Sequence, residues 1–275
     1  MMLPPLALLL GLLGAAGEPP PGVAVVGHME APPLREVSGI VRSRRHPGIF
    51  WVHNDSGNDP VLYAIRADGS LVNRFPVAAA NLDWEDIAAD GAGNLYIGDI
   101  GNNYGILPIR TIYRLAEPDP FRPAPRPLPV ALFWYGFGGA RGFDAEGLVV
   151  EGDRALVVTK RLDGGTAELR AVPLVPGSPV RARPTTALGP LAGFTEPATG
   201  ADLSPDGRRL AVCSTRSVAV YVRGGGGWSR LAPVVHGGAG VEAVCWDGDD
   251  LLLASEDRSL IRVRRSAWDR ERARR

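Results

Sequence analysis

Five short segments of the chain share one pattern: Ser38-Gly39-Ile40-Val41, Glu85-Asp86-Ile87-Ala88, Glu146-Gly147-Leu148-Val149, Ala201-Asp202-Leu203-Ser204 and Glu242-Ala243-Val244-Cys245. Each is followed by a turn and then a second apolar run, at residues 49–52, 95–97, 156–158, 210–212 and 251–254. A step of 14 residues leads from Glu85 to Asp99, from Glu146 to Lys160, from Ala201 to Thr215 and from Glu242 to Glu256. In the first segment the step is 17, from Ser38 to Asp55, and the longer loop at residues 42–48 absorbs the difference. A third apolar segment follows each pair, at 61–65, 111–115, 168–172, 218–222 and 260–264. A fourth follows the first four, at 71–77, 129–135, 185–188 and 229–235.

Units of four strands recurring at such spacings are the signature of β-propeller blades. Second strands that are continuously apolar suit positions buried on both faces between neighbouring blades. The segments Ala67-Asp68-Gly69-Ser70, Ser204-Pro205-Asp206-Gly207 and Asp247-Gly248-Asp249 are turn sequences, and Gly and Asp supply the backbone conformations such turns need. The fifth unit ends before its fourth strand, and the spare β-branched segment at residues 23–28 can supply it and close the ring. Closure also removes the exposed sheet edge. The expected fold is therefore all-β, a propeller of five four-stranded blades. Six blades is the alternative, because 61 residues separate Glu85 from Glu146; the Pro-rich stretch 117–129 accounts for that length as a surface loop.

Composition agrees with this architecture. The 35 glycines and 25 prolines favour turns over helices, and 45% hydrophobic residues supply a core. Thirty basic residues balance thirty acidic ones, which gives no sign of the basic face that nucleic-acid binding needs. The apolar run at residues 6–13, then small residues and Pro19-Pro20-Pro21, reads as a signal peptide at 1–17, although no basic residue precedes the run. We expect a linker at 18–22, one propeller domain at 23–265 and a charged tail at 266–275. The expected product is an exported monomer, secreted or periplasmic, without a membrane span. Cys213 and Cys245 fall on strands of neighbouring blades and read as small buried residues rather than a bonded pair.

In a propeller the innermost strand starts at one mouth of the channel and the second strand returns to it. The anchors and the residues one step further on should therefore gather at one end: Ser38 with Asp55, Glu85 with Asp99, Glu146 with Lys160, Ala201 with Thr215 and Glu242 with Glu256. Glu36, Asp83 and Asp144 lie two residues before their anchors, and Asp86 and Asp202 one after. Crowded carboxylates require a cation, raised pKa values or a basic neighbour. Lys160, the single lysine in the chain, is one such neighbour. All-oxygen chemistry of this kind suits Ca²⁺, with Asp55, Glu85, Asp99, Glu146 and Glu242 as candidate ligands and Asn54 and Asn102 as neutral donors. Glu146, Lys160 and His53 are the candidate catalytic residues, His53 as a general base. The competing structural reading has acidic and hydroxyl side chains at strand ends tying one blade to the next through backbone N–H groups.

The segments His53-Asn54-Asp55-Ser56-Gly57, Asp83-Trp84-Glu85-Asp86-Ile87-Ala88, Gly98-Asp99-Ile100-Gly101-Asn102-Asn103 and Asp144-Ala145-Glu146-Gly147-Leu148, with Thr159-Lys160, resemble a group of exported bacterial propellers that has no settled activity. The resemblance spans roughly residues 36–256. More distantly the chain is similar to phytase-like and gluconolactonase-type propellers, which implies calcium and hydrolysis of phosphate or ester bonds; the basic cluster that a polyphosphate substrate requires is not evident. The residues leave three functions open. One is a divalent-metal-dependent hydrolase of an ester or phosphate. The second is a non-catalytic propeller binding a small molecule, carbohydrate or protein, with exposed aromatics such as Trp134, Tyr135 and Trp228 as contacts. The third is a metal-free carboxylate-pair glycosidase.

Overall fold

The computed structural model describes residues 19–30, 33–103, 105–136, 143–177, 183–238 and 240–269. The expected signal peptide lies outside them. Strand β1 (Val23–His28) stands alone at the start. Blade 1 is β2 (Val37–Arg42), β3 (Phe50–Asn54), β4 (Val61–Ile65) and β5 (Leu71–Pro76). Blade 2 is β6 (Trp84–Ala89), β7 (Asn94–Asp99), β8 (Arg110–Ala116) and β9 (Ala131–Gly136). Blade 3 is β10 (Asp144–Glu151), β11 (Arg154–Lys160) and β12 (Glu168–Pro173), then β13 (Arg183–Pro184), which pairs outward with β9, and β14 (Thr186–Pro190), which completes the blade. Blade 4 is β15 (Gly200–Leu203), β16 (Arg209–Cys213), β17 (Ser217–Gly224) and β18 (Gly227–Arg230), with β19 (Val234–Val235) also on β17. Blade 5 is β20 (Val241–Asp247), β21 (Asp250–Ser255) and β22 (Ser259–Val263), and β1 is its fourth strand. Five blades are present, and the Pro-rich stretch after β8 is a loop rather than a sixth blade.

Ring closure is an antiparallel ladder from Val23 opposite Val263 to His28 opposite Ser259. The core confirms it independently. The buried apolar residues fall into five clusters, each between two neighbouring blades, and one of them joins blade 5 to blade 1 through Ala243, Cys245 and Leu252 against Val37, Ile40 and Val52. Inner strands are buried on both faces, so β3 and β6 show no exposed residue. This is why second strands such as β16 and β21 run apolar rather than alternating. Cys213 and Cys245 are free, buried and in different inter-blade cores.

The chain remains in the fold past residue 265. A four-residue helix, α1 (Arg265–Trp268), packs Trp268 edge-on against Trp246, with ring centroids 5.6 Å apart. No helix among the described residues is long and apolar enough to cross a membrane.

Four innermost ladders carry the same irregularity. Register shifts occur between Val37 and Gly39, Trp84 and Asp86, Ala145 and Gly147, and Val241 and Ala243. The bulged residues are thus Ser38, Glu85, Glu146 and Glu242, four of the five anchors. Blade 4, whose anchor is Ala201, pairs without a shift. A bulge re-aims the side chain that it carries, so the three glutamates stand at the mouth because the ladder breaks beneath them.

Candidate functional site

Asp55, Glu85, Glu146, Lys160, Glu242 and Glu256 line one cavity of about 190 Å³ at the channel mouth, together with Glu36, Val37, Ser38 and Asn103. The expected gathering of anchors therefore occurs, with two exceptions among the candidate site residues, Asp99 and His53.

Asp99 lies outside the cavity lining. It is the direct partner of Trp84, whereas the equivalent partners in blades 1, 3 and 5 are Asn54, Thr159 and Ser255. Asp55, Lys160 and Glu256 each lie one residue beyond those partners. Successive strand side chains face opposite ways, so the 14-residue step lands on the inward side in blades 3 and 5 and on the outward side in blade 2. The cause is the hairpin: β6 and β7 are joined by the five residues between Ala89 and Leu95, while two residues join the inner pairs of blades 3 and 5. Asp99 is used structurally. It accepts the Asp83 backbone N–H at 2.7 Å and the Tyr113 hydroxyl at 3.2 Å.

His53 is completely buried, edge-on to Trp84 at 5.4 Å, and a Cβ on Gly39 would lie 2.3 Å from its Nε2. Burial lowers its pKa to about 4, so the ring is neutral. A general base must reach the proton that it removes, and this packing denies His53 that access. Asn54 and Asn102 also serve the backbone. Asn54 Nδ2 donates to the Pro33 carbonyl at 2.6 Å, and Asn102 Oδ1 accepts the Leu107 N–H at 3.0 Å.

Two further acids complete the site. Carboxylate oxygens of Asp55, Asp83 and Glu85 lie within 4.8 Å of one another, as do those of Glu85, Asp144 and Glu146. Asp83 and Asp144 stood out in the sequence only by their offset of two from the anchors. Even spacing puts them on the anchor's face of the strand, and that was the available signal. The Gly98–Asn103 motif wraps them: Ile100 and Gly101 N–H groups bind the Asp83 carbonyl at 3.1 and 3.2 Å, and the Asn102 N–H binds Asp144 Oδ1 at 2.7 Å. Gly101 is required here, because a Cβ would sit 2.1 Å from Glu85 Oε1 and 2.4 Å from Asp83 Oδ2.

Burial and mutual repulsion set the electrostatics. Lys160 Nζ donates to Glu146 Oε1 at 2.7 Å. Burial raises the Glu146 pKa, and the Lys160 ammonium opposes that rise. The Lys160 ammonium is depressed by burial but raised overall by Glu146. Burial, then the Glu146 and Asp55 charges, push Glu85 far up. Asp83 rises to about 6 through burial and the Asp55 and Asp144 charges, and Glu242 to about 7 through burial and Glu256. Glu85 Oε1 is buried with no hydrogen-bond donor aimed at it.

The acids one residue after the anchors do the blade-tying work. Asp86 Oδ2 accepts N–H groups from Leu148 at 2.8 Å and Ala201 at 3.1 Å, joining blade 2 to blades 3 and 4. Asp202 Oδ2 accepts the Trp246 N–H at 2.8 Å. A larger cavity of about 360 Å³ opens among the turns after β6, β10 and β15, at the other end of these strands. Its acids are engaged locally, Asp90 with Asn94 and Tyr96, and Asp206 with Ser204. The unsatisfied chemistry is at the smaller, acidic mouth.

No family model matches the chain, and no curated protein matches it. Among solved structures it is similar to a chain of a nidogen/laminin complex, at 10% identity over 80% of this chain and 72% of that one, with a TM-score of 0.45. It is also similar to a catalytically inactive virginiamycin B lyase from Staphylococcus aureus solved with quinupristin, at 12% identity over 82% of this chain and 65% of that one, with a TM-score of 0.42. Likeness at this level carries no chemistry, and function rests on the site itself.

Proposed function

We propose that the acidic mouth binds a divalent cation, Ca²⁺ by its donor chemistry, and that the loaded site hydrolyses an ester or phosphate substrate. The observation that carries this reading is the pair of carboxylate triads meeting at Glu85, whose buried Oε1 has no donor. The donor set is all oxygen, as hard cations prefer, and an ion would satisfy both the orphaned oxygen and the repulsion. Either triad, Asp55 and Asp83 with Glu85 or Asp144 and Glu146 with Glu85, would hold it. A bound ion supplies Lewis-acid polarisation of the substrate oxygen and an acidified water. Glu242 lines the same cavity with a pKa near neutrality, which suits a proton acceptor. Lys160 opposes the burial-driven rise of the Glu146 pKa and presents its remaining N–H donors to an anionic group. Export through the N-terminal apolar segment belongs to the same reading, since extracellular modules work with weak calcium sites.

A carboxylate pair without metal is a poorer fit. Carboxylate oxygens of Glu85 and Glu146 lie within 4.8 Å of each other, closer than the roughly 5 Å of retaining glycosidase pairs. A purely structural ring accounts for Asp86 and Asp202 but leaves Glu85 Oε1 unsatisfied.

The test is a calcium titration of chelator-stripped protein followed by thermal melts, on wild type and Glu146→Gln, and then turnover of nitrophenyl ester and phosphate substrates with Glu242→Gln alongside. A calcium-dependent rise in Tm that Glu146→Gln abolishes supports the site. Turnover that Glu242→Gln loses while keeping the rise supports the chemistry. No shift with any divalent ion rejects both.

A further inference from the structure

We propose that the mouth holds two divalent cations, one between blades 1 and 2 and one between blades 2 and 3, with Glu85 shared between them. This rests on the cation-binding reading above and adds the number and placement of the ions.

Distance is the first argument. Calcium binds its oxygen ligands at about 2.3–2.6 Å, so two ligands of one ion stand no more than about 5 Å apart. The oxygens of Asp55, Asp83 and Glu85 meet that limit, and those of Glu85, Asp144 and Glu146 meet it separately; the five do not form one group. One ion can therefore serve either triad and leaves the other two acids of the site without a cation.

Charge is the second argument. Five carboxylates face one lysine at 2.7 Å from Glu146. With all five ionised, the balance is four negative charges, and Glu36, Glu242 and Glu256 line the same cavity, so a single divalent ion leaves at least half of the charge uncompensated. The third argument is Glu85 itself, 3% exposed, carried on a bulge at the start of β6 and holding the unpartnered oxygen at the junction of the two groups. The hydrogen bonds already made leave room for ions on both sides. Asp144 is held through Oδ1 by Asn102, and Glu146 through Oε1 by Lys160, so each retains its other oxygen.

The experiment is metal stoichiometry on the full chain, stripped with chelator and titrated with CaCl₂ by isothermal calorimetry, with bound calcium counted by elemental analysis after desalting. Two ions per chain are expected for wild type. Asp83→Asn and Asp144→Asn should each retain one, and Glu85→Gln should lose high-affinity binding of both. Melts in chelator establish that each variant is folded, and the two aspartate variants decide the matter even if Glu85→Gln is not. One ion per wild-type chain overturns the two-ion inference and leaves the cation-binding site standing, whereas none removes both. Two ions that neither aspartate variant reduces would place them elsewhere and overturn the inference as well.

Discussion

Glu85→Gln separates the structural worth of the mouth from its cation chemistry. Glu85 has oxygen neighbours within 4.8 Å on Asp55, Asp83, Asp144 and Glu146. At that distance and an effective dielectric near 20, each pair of full charges repels by about 3.5 kcal/mol. Four such pairs exceed 10 kcal/mol in order of magnitude, comparable with the whole stability of a domain. Without a cation, Glu85 must therefore be protonated, as its raised pKa indicates. Glutamine has the shape of the protonated acid and, like it, carries no charge. In chelator the variant should melt within about 1 kcal/mol of wild type, because the substitution is isosteric and neither creates a cavity nor buries a new charge. With calcium at a hundred times its Kd, wild type gains about 2.7 kcal/mol per site, or roughly 5–10 °C in Tm for a chain of this size. The variant should gain almost nothing. Differential scanning calorimetry with and without calcium reads both numbers. A variant that melts far below wild type in chelator would mean that Glu85 is ionised and satisfied in the metal-free fold, and the reasoning fails. A full calcium shift in the variant refutes it equally.

Other expectations follow from the same geometry. Gly101→Ala should abolish the calcium-dependent rise in Tm, because the new Cβ occupies the space beside Glu85 Oε1 and Asp83 Oδ2; an unchanged rise would show that these oxygens bind nothing. Asp86→Ala removes the acceptor for Leu148, Ala201 and Ile87 N–H groups and, at about 1–3 kcal/mol for each orphaned donor, should cost about 3–9 kcal/mol in urea unfolding, with or without calcium. In chelator, stability should fall as pH rises from about 4 to 6, because folded Asp83 and Asp202, both at about 6 chiefly through burial, hold protons that the unfolded chain has released above its ordinary value of 3.8. Below about pH 4 surface acids such as Asp206, lowered by Ser204, lose stabilisation in the opposite sense, so urea midpoints should peak near pH 4–5, and a plateau up to pH 8 would contradict the buried-acid account. Deleting residues 19–28 exposes the β22 edge that β1 covers and should lower the unfolding midpoint and promote aggregation, measured by light scattering during the melt.

Much of this protein can be read in its sequence, because a repeat is a statement about three dimensions. Five anchors followed by apolar second strands require five two-faced inner hairpins, and a two-faced hairpin is stable only between two others. Ring closure by residues 23–28 follows from the missing fourth strand of the last unit. That Asp55, Glu85, Glu146, Lys160 and Glu242 fall at the same end of their strands follows from strand direction alone. Strand parity does not follow, because bulges and turn lengths add or remove single residues, and one residue reverses a side chain. That is why Asp99, at the same sequence step as Lys160, points into the structure while Lys160 faces the cavity. Nor does sequence spacing reveal that Asp83 and Asp144 close on Glu85 from two blades, or that Asp86 reaches two neighbouring blades at once. Those contacts depend on how far twisted blades approach around the axis, a distance set by the packing of Trp51, Trp84 and their neighbours in the inter-blade cores, and only the tertiary structure decides it.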